Sequence, residues 1–377
     1  MSVLIMTPGP THVHEDVRYA MVQDFLNPDI DEDFYEFYLN TIKKLSKIFL
    51  TKNEVLILCG EGILGLEAAC ASLIEKGDRV LCIDNGIFGN GFKDFVEMYG
   101  GEAILFACDY KKAVDVEALK EFLDRDSSFK FATIVHCETP SGITNDVSKI
   151  CPLFKKYGIL TVVDTVSATG GEDIAVDDYN IDIALCASQK CLSAPTGLTF
   201  LSISDDAWEI ILNRKTPVPS FYCNLGAFKG WYEKKWFPYT MPVNLIHGLD
   251  AACDRLLKEE SYVKRHESIA LAVRYSIEAC GLSLYPESGH SNTLTTINVP
   301  KGIAFKEIYD EMLMTHNIMI AGSFGIFSDK LIRIGHMGES CREDKVFACL
   351  HALDKVLRKR DLLNENRLHL KFAEKIK

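Results

Sequence analysis

"VLILCGEGILGLEAA", residues 55–69, reads as an apolar run, a glycine-rich turn and a helical repeat in succession. Val55–Leu58 has the unbroken aliphatic character of a strand buried on both faces. Gly60, Gly62 and Gly65 spell GxGxxG, and "GLEAACASLIEKG" carries apolar residues at helical spacing before closing on Gly77. A strand leading through glycines into a helix start is a phosphate-binding device, because the first N–H groups of a helix have no partner of their own. Asp84 follows about 20 residues on, where a dinucleotide fold places its ribose carboxylate. The stretch poses a choice between NAD and another phosphate-bearing ligand, and GxGxxG alone does not separate them.

The same alternation extends outward. Short apolar runs occupy 55–58, 79–83, 102–106, 131–136, 159–163, 181–186 and 198–203, with helical patterns such as "FKDFVEMYGG", "DVEALKEFLDR" and "KICPLFKKYG" between them. Continuous apolar strands separated by helices predict an α/β fold, a mostly parallel seven-stranded sheet covered on both faces. The pattern then changes to long helical stretches at 243–259 and 261–280, followed by "TLTTINVP", a helix at 304–316, a strand at "KLIRIGHMG" and a helix at 341–360. The expected organisation is an N-terminal arm (1–16), a large domain (17–254) and a smaller C-terminal α+β domain (255–377). The tail "RKRDLLNENRLHLKFAEKIK" reads as a charged, solvated helix face.

The 377 residues are 47% hydrophobic and 25% charged, the composition of a soluble globular protein with a large core. A formal charge of −12 argues against nucleic acid or an anionic membrane as the main partner. Thirteen cysteines include no CxxC pair and are joined by no HExxH, so no metal site is expected and reduced thiols are. The apolar run at the start is short and breaks at Pro8, and no stretch approaches the ~18 apolar residues of a membrane span. A cytoplasmic location is expected.

Ligands of such sheets sit at the carboxyl ends of the strands. The loops there read "CGEGILG", "DNGIFGNG", "HCETPSG", "DTVSATGG" and "ASQKCLSAPTG", and the last four carry Phe88, Thr139, Asp164 and Lys190. Taken singly, Lys190 could be a paired surface lysine, Asp164 a helix cap and Phe88 a core residue. Together they match the needs of a pyridine cofactor: an amine for its aldehyde, a carboxylate for its ring nitrogen and an aromatic face.

"VDTVSATGG" followed by "CASQKCLSAPTG" resembles the core of the fold-type I, class V aminotransferases, which use pyridoxal 5′-phosphate. The alanine–glyoxylate and serine–glyoxylate branch is the most similar. "TPGPTHVHEDV", "GEGILGLEAA", "NGIFGNG", "HCETPSGI", "YTMPVNLI" and "LIRIGHMG" follow in the family's order, from about residue 6 to 350. The resemblance implies that Lys190 forms the Schiff base and shuttles the proton, and that Asp164 pairs with the pyridine nitrogen. Phe88 lies against the ring, and Thr139 and Gln189 lie with the cofactor. Glu61, Gly62 and Ile63 open the phosphate helix. Arg333 grips the substrate carboxylate, with Pro8 and Gly9 on the substrate side. Thr240 corresponds to a residue lent across a homodimer interface to the neighbour's phosphate, and that interface is expected to cover Phe221, Tyr222, Trp231, Trp236 and Phe237. On this reading Asp84 is an ordinary strand-end residue.

The implied activity is ping-pong transfer of an amino group from a small amino acid, of the alanine or serine type, to a 2-oxo acid such as glyoxylate or pyruvate. The alternative within the fold is a 2-aminoethylphosphonate–pyruvate transaminase, suggested by the acidic "DIDEDF"; that branch tends to place Asn where Gln189 stands. A cysteine desulfurase, with His before the lysine and on the ring, and a non-catalytic binder of the cofactor fit less well. Three positions depart from the family. Glu61 stands where several relatives carry a small hydroxyl residue, and a carboxylate beside a phosphate dianion is repulsive unless it points elsewhere, such as toward the substrate amine. Ile63 replaces a polar residue, and Phe237 replaces a phosphate-binding tyrosine.

Overall fold

The computed structural model describes residues 3–24 and 27–376. Its main sheet has seven strands: β1 (Glu54–Cys59), β2 (Arg79–Asp84), β3 (Glu102–Ala107), β4 (Phe131–Val135), β5 (Leu160–Asp164), β6 (Ile183–Ala187) and β7 (Leu198–Ile203). They lie in the order β1-β7-β6-β5-β4-β2-β3, and β7 alone runs against the rest. The α/β sheet predicted from the apolar runs is therefore present, with one antiparallel member. Every residue of β4, β6 and β7 is buried, which is why these segments lack the alternation of a one-sided sheet.

Helices α1 (Glu32–Phe49), α2 (Gly62–Leu73), α3 (Ile87–Met98), α4 (Val116–Arg125) and α5 (Val147–Lys156) punctuate the strands. Most of α2 is buried, as its apolar and small residues require. A Cβ on Gly65 would come within 2.7 Å of Thr199 Oγ1, so this glycine lets α2 lie directly on β7. Helix α3 begins at Ile87, five residues ahead of the "FKDFVEMYGG" pattern. Its N-cap, Gly86, has no side chain to supply the cap; the acceptor comes from Glu138 across the sheet edge.

The larger apolar core runs from Val17 to Leu256 and includes helix α6 (Val243–Leu257). A second core gathers Met6 with residues between Ile269 and Phe372. It packs helices α7 (Tyr262–Ala279), α8 (Glu343–Arg358) and α9 (Leu368–Ile376) around a sheet of β8 (Leu294–Asn298), β9 (Ala321–Gly322) and β10 (Leu331–Gly335). The arm is tied to this second core: Leu4–Ile5 pairs in parallel with Ile318–Met319 and Met6 is fully buried. The next few residues of the arm lead to the carboxyl edge of the main sheet.

Two expectations need correction. The charged tail is not simply a solvated face, because the chain turns through Asp361 (φ 54°) and α9 buries Leu368 and Phe372. Asp354 of α8 caps α9 by accepting the Leu368 N–H at 3.0 Å. Of the aromatic residues in the stretch 221–239, only Phe221, Tyr222 and Trp236 are exposed. Trp231 and Phe237 are buried in the chain's own core, stacked at 5.4 Å, with Tyr35 on the other partner face of Phe237 at 5.0 Å. Among the described residues no helix is long and apolar enough to cross a membrane, and no cluster of His, Cys, Asp and Glu is placed to hold a metal ion.

Candidate active site

The carboxyl ends of β4, β5 and β6, the start of α2 and the arm border a cleft with about 520 Å³ of empty space, part of it open to solvent. Asp164 ends β5 and lies in its wall, with Oδ1 accepting the Val166 N–H at 2.8 Å. Burial pushes its carboxyl up to about 6, against the pull of that N–H and of Lys190. Lys190 follows β6 and enters the same cleft, where its Nζ donates to the carbonyl oxygen of Pro8 at 3.0 Å. Burial holds its ammonium below the ordinary lysine range, while Asp164 opposes the shift. Desolvation favours the neutral, nucleophilic amine over the ammonium. Gly9 crosses this lysine at φ +93°, and any Cβ there would strike the Lys190 side chain.

Phe88 forms another part of the wall, its ring 6.0 Å from that of Phe324 in an edge-on arrangement. Its backbone is fixed by Glu138, which accepts the N–H of Phe88 at 3.3 Å and that of Gly89 at 2.5 Å. Glu138 is fully buried, and burial pushes its carboxyl up to about 8 against those two bonds. Thr139 joins the wall through a 2.7 Å hydroxyl bond with Ser167.

Arg333, on β10, is not itself part of the cleft wall but is bonded to it. Its Nη1 donates to the Thr139 carbonyl at 3.1 Å and its Nε to that of Gly322 at 2.6 Å. The guanidinium carbon sits 5.6 Å from the centre of the Phe324 ring. Burial lowers it to about 10, and no carboxylate pairs with it among the described residues. A buried guanidinium held by two carbonyls and lacking a counter-ion is prepared for an anion.

The start of α2 holds Glu61, Gly62 and Ile63 against the cleft, with Gln189 beside them. Thr240 is different: it is exposed, donates to Asp29 Oδ2 at 2.9 Å and lies outside the cleft of its own chain. Asp84, left aside in the sequence, is buried and bonded by Asn90 Nδ2 at 3.0 Å and by the Tyr110 hydroxyl. Glu138, Ser167, Cys137 and Pro10 were not singled out from sequence. Only Glu138 offered a signal, an acid three residues after the buried strand β4 and directly before Thr139.

Residues 23–322 match the family model described as aminotransferase class-V. The chain belongs to the class V aminotransferases. An uncharacterized aminotransferase of Methanocaldococcus jannaschii is 39% identical over 94% of this chain and 92% of its own. A pyridoxamine–pyruvate transaminase of Mesorhizobium japonicum is 33% identical over 93% of this chain and 90% of its own. The solved ureidoglycine–glyoxylate aminotransferase of Bacillus subtilis superposes with a TM-score of 0.95 at 29% identity, covering 99% of this chain and 98% of the other.

Class V aminotransferases of this fold use pyridoxal 5′-phosphate. The ring half of that cofactor fits the residues present. Buried Asp164 suits a ring nitrogen, desolvated Lys190 suits an aldehyde and Phe88 supplies an apolar face. The phosphate half meets Glu61, an anion, at the helix start.

Proposed function

We propose that this class V aminotransferase moves an amino group from a small amino acid, of the alanine or serine type, to a 2-oxo acid of the glyoxylate or pyruvate type. The observation that carries this reading is the convergence on one cleft of a desolvated lysine, a buried carboxylate and an aromatic wall, with an unpaired arginine at its edge. The ring supplies an aldehyde and, once its nitrogen is protonated, a sink for the electron pair left at the substrate Cα.

Asp164 holds the proton at the ring nitrogen, in a buried setting where its charge acts with little screening. Lys190 would hold the ring through its aldehyde and, as a desolvated amine, would move the proton at the substrate Cα. Phe88 keeps water from one ring face. Arg333 takes the carboxylate that amino donor and oxo acceptor share, which lets both substrates use one pocket in turn, the ping-pong order.

The same reading includes a homodimer in which Thr240 of each chain reaches the other's cleft. Its exposure outside its own cleft, and the exposed Phe221, Tyr222 and Trp236 nearby in sequence, support this. A division into large (17–254) and small (255–377) domains is supported by the two apolar cores, the larger of which reaches two residues further, to Leu256 near the end of α6. A cytoplasmic location is supported by thirteen unpaired cysteines.

A second reading, with pyridoxamine as the amino donor as in the name of the Mesorhizobium relative, is favoured by one observation, the Glu61 carboxylate at the start of α2. The test is a panel of amino donors and 2-oxo acceptors, 2-aminoethylphosphonate and pyridoxamine included, followed by product mass. Transfer to glyoxylate or pyruvate from alanine or serine is the result expected of the first reading, and from pyridoxamine the result expected of the second. Transfer from 2-aminoethylphosphonate alone would replace both.

A further inference from the structure

The helix that opens at the phosphate end of the cleft already has an anion of its own. Glu61 is the N-cap of α2, and its Oε1 accepts the Ile63 N–H at 3.0 Å. That N–H is one of the groups a phosphate would need. Oε2 accepts Gln189 Nε2 at 3.4 Å. This bond fixes the orientation of the amide and leaves Gln189 Oε1 as a buried acceptor without a donor, on a residue only 6% exposed. Both side chains belong to the cleft wall, in which Lys190 is the only cation among the described residues. Lys190 is engaged with Pro8, toward the arm.

The phosphate end thus presents a carboxylate and an unsatisfied carbonyl oxygen. A phosphate dianion brings negative charge and acceptors, so it repels the first and leaves the second unsatisfied. A hydroxymethyl group is uncharged and brings one O–H donor, which either oxygen can accept.

We propose that Glu61 and Gln189 select the ring without its phosphate, so that pyridoxamine and pyridoxal enter and leave this cleft as substrate and product. The proposal rests on the aminotransferase reading of the same cleft and names its amino donor. The chemistry balances without any further reagent. The C4′–N bond of pyridoxamine breaks and a C–N bond forms at the oxo carbon of the 2-oxo acid. C4′ is oxidised by two electrons to the aldehyde, and the acceptor carbon is reduced by the same two. The proton lost from C4′ is carried by Lys190 to the acceptor carbon. Water released as the amine condenses is taken up again as pyridoxal is freed. The products are pyridoxal and the amino acid.

The experiment titrates the full-length protein with pyridoxal and with pyridoxal 5′-phosphate, following the absorbance change as the ring bonds the lysine. Each end point is reduced with borohydride and mapped. Pyridoxal is expected to bind at least about tenfold more tightly than its phosphate, the scale expected for a like charge in a poorly screened site. Glu61→Gln removes the charge, and Glu61→Ser does so while supplying a good helix cap. Both should shift the preference by about tenfold or more toward the phosphate form, with unfolding curves close to wild type. Tighter or equal binding of the phosphate by the wild type, or a preference that neither substitution moves, overturns the proposal while leaving the aminotransferase reading intact. Failure of both ring forms to label Lys190 overturns the two together.

Discussion

Asp164→Asn should make the protein more stable and inactive at once. In the folded chain the Asp164 carboxyl lies near 6, against an ordinary value of 3.8, because it is buried on a strand end with one N–H as its hydrogen-bond partner. A carboxyl raised on folding favours the folded state only while protonated. Its ionisation therefore costs stability as pH rises through the window from 3.8 to about 6. At pH 8 the cost is the full difference, about 3 kcal/mol. At pH 5 it is roughly half of that, and below pH 3.8 it approaches zero. Asparagine keeps the shape and an oxygen for the Val166 N–H but carries no charge. Urea unfolding of ring-free wild type and variant should therefore differ by about 3 kcal/mol in favour of the variant at pH 8, with the gap narrowing as pH falls. Amino transfer should fall by orders of magnitude, because an amide cannot hold the ring nitrogen as a cation. Equal stability at pH 8, or a gap that does not change with pH, would refute the argument that this carboxylate is held at a cost for function.

Other consequences are as direct. Arg333→Lys keeps the charge but loses the fork and the two carbonyl bonds that orient it. It should cost ~2–3 kcal/mol, roughly 30- to 150-fold in kcat/KM, for the oxo acceptor and for any amino donor that carries a carboxylate; steady-state kinetics with an unchanged value for the oxo acceptor would place the carboxylate elsewhere. Glu138→Ala leaves the Phe88 and Gly89 N–H groups without their acceptor and opens a buried space. It should destabilise the fold by about 2–4 kcal/mol in urea unfolding, with Glu138→Gln milder because one acceptor survives; an Ala variant as stable as wild type would remove Glu138 as the cap of α3. Light scattering should give twice the 42.3 kDa of the chain, and full activity at the mass of one chain would exclude the shared site.

The sheet was legible because its strands are unbroken apolar runs, a signal that depends on the chain alone. Lys190 and Asp164 were legible for the same reason, since ionisable residues at the ends of buried strands stand out against their surroundings. The role of Glu138 was hidden, because it depends on a helix start about 50 positions away that has no cap of its own. The burial of Trp231 and Phe237 was hidden too, since Tyr35 and Tyr38 meet them only in the folded chain. The tail shows the limit of charge patterning. Two apolar residues, Leu368 and Phe372, outweigh its lysines and arginines by docking on α7 and α8. Glu61 was visible as a departure, but its bonds to Ile63 and Gln189 could only be read from coordinates.

The central claim is that Lys190 is the amine that bonds the ring. Incubation of the full chain with pyridoxal and with pyridoxal 5′-phosphate, borohydride reduction and peptide mapping test it most directly. The account predicts one pyridoxyl group per chain, on Lys190, and none on a Lys190→Ala variant. A label on any other lysine, or equal labelling of the Lys190→Ala protein, would contradict it.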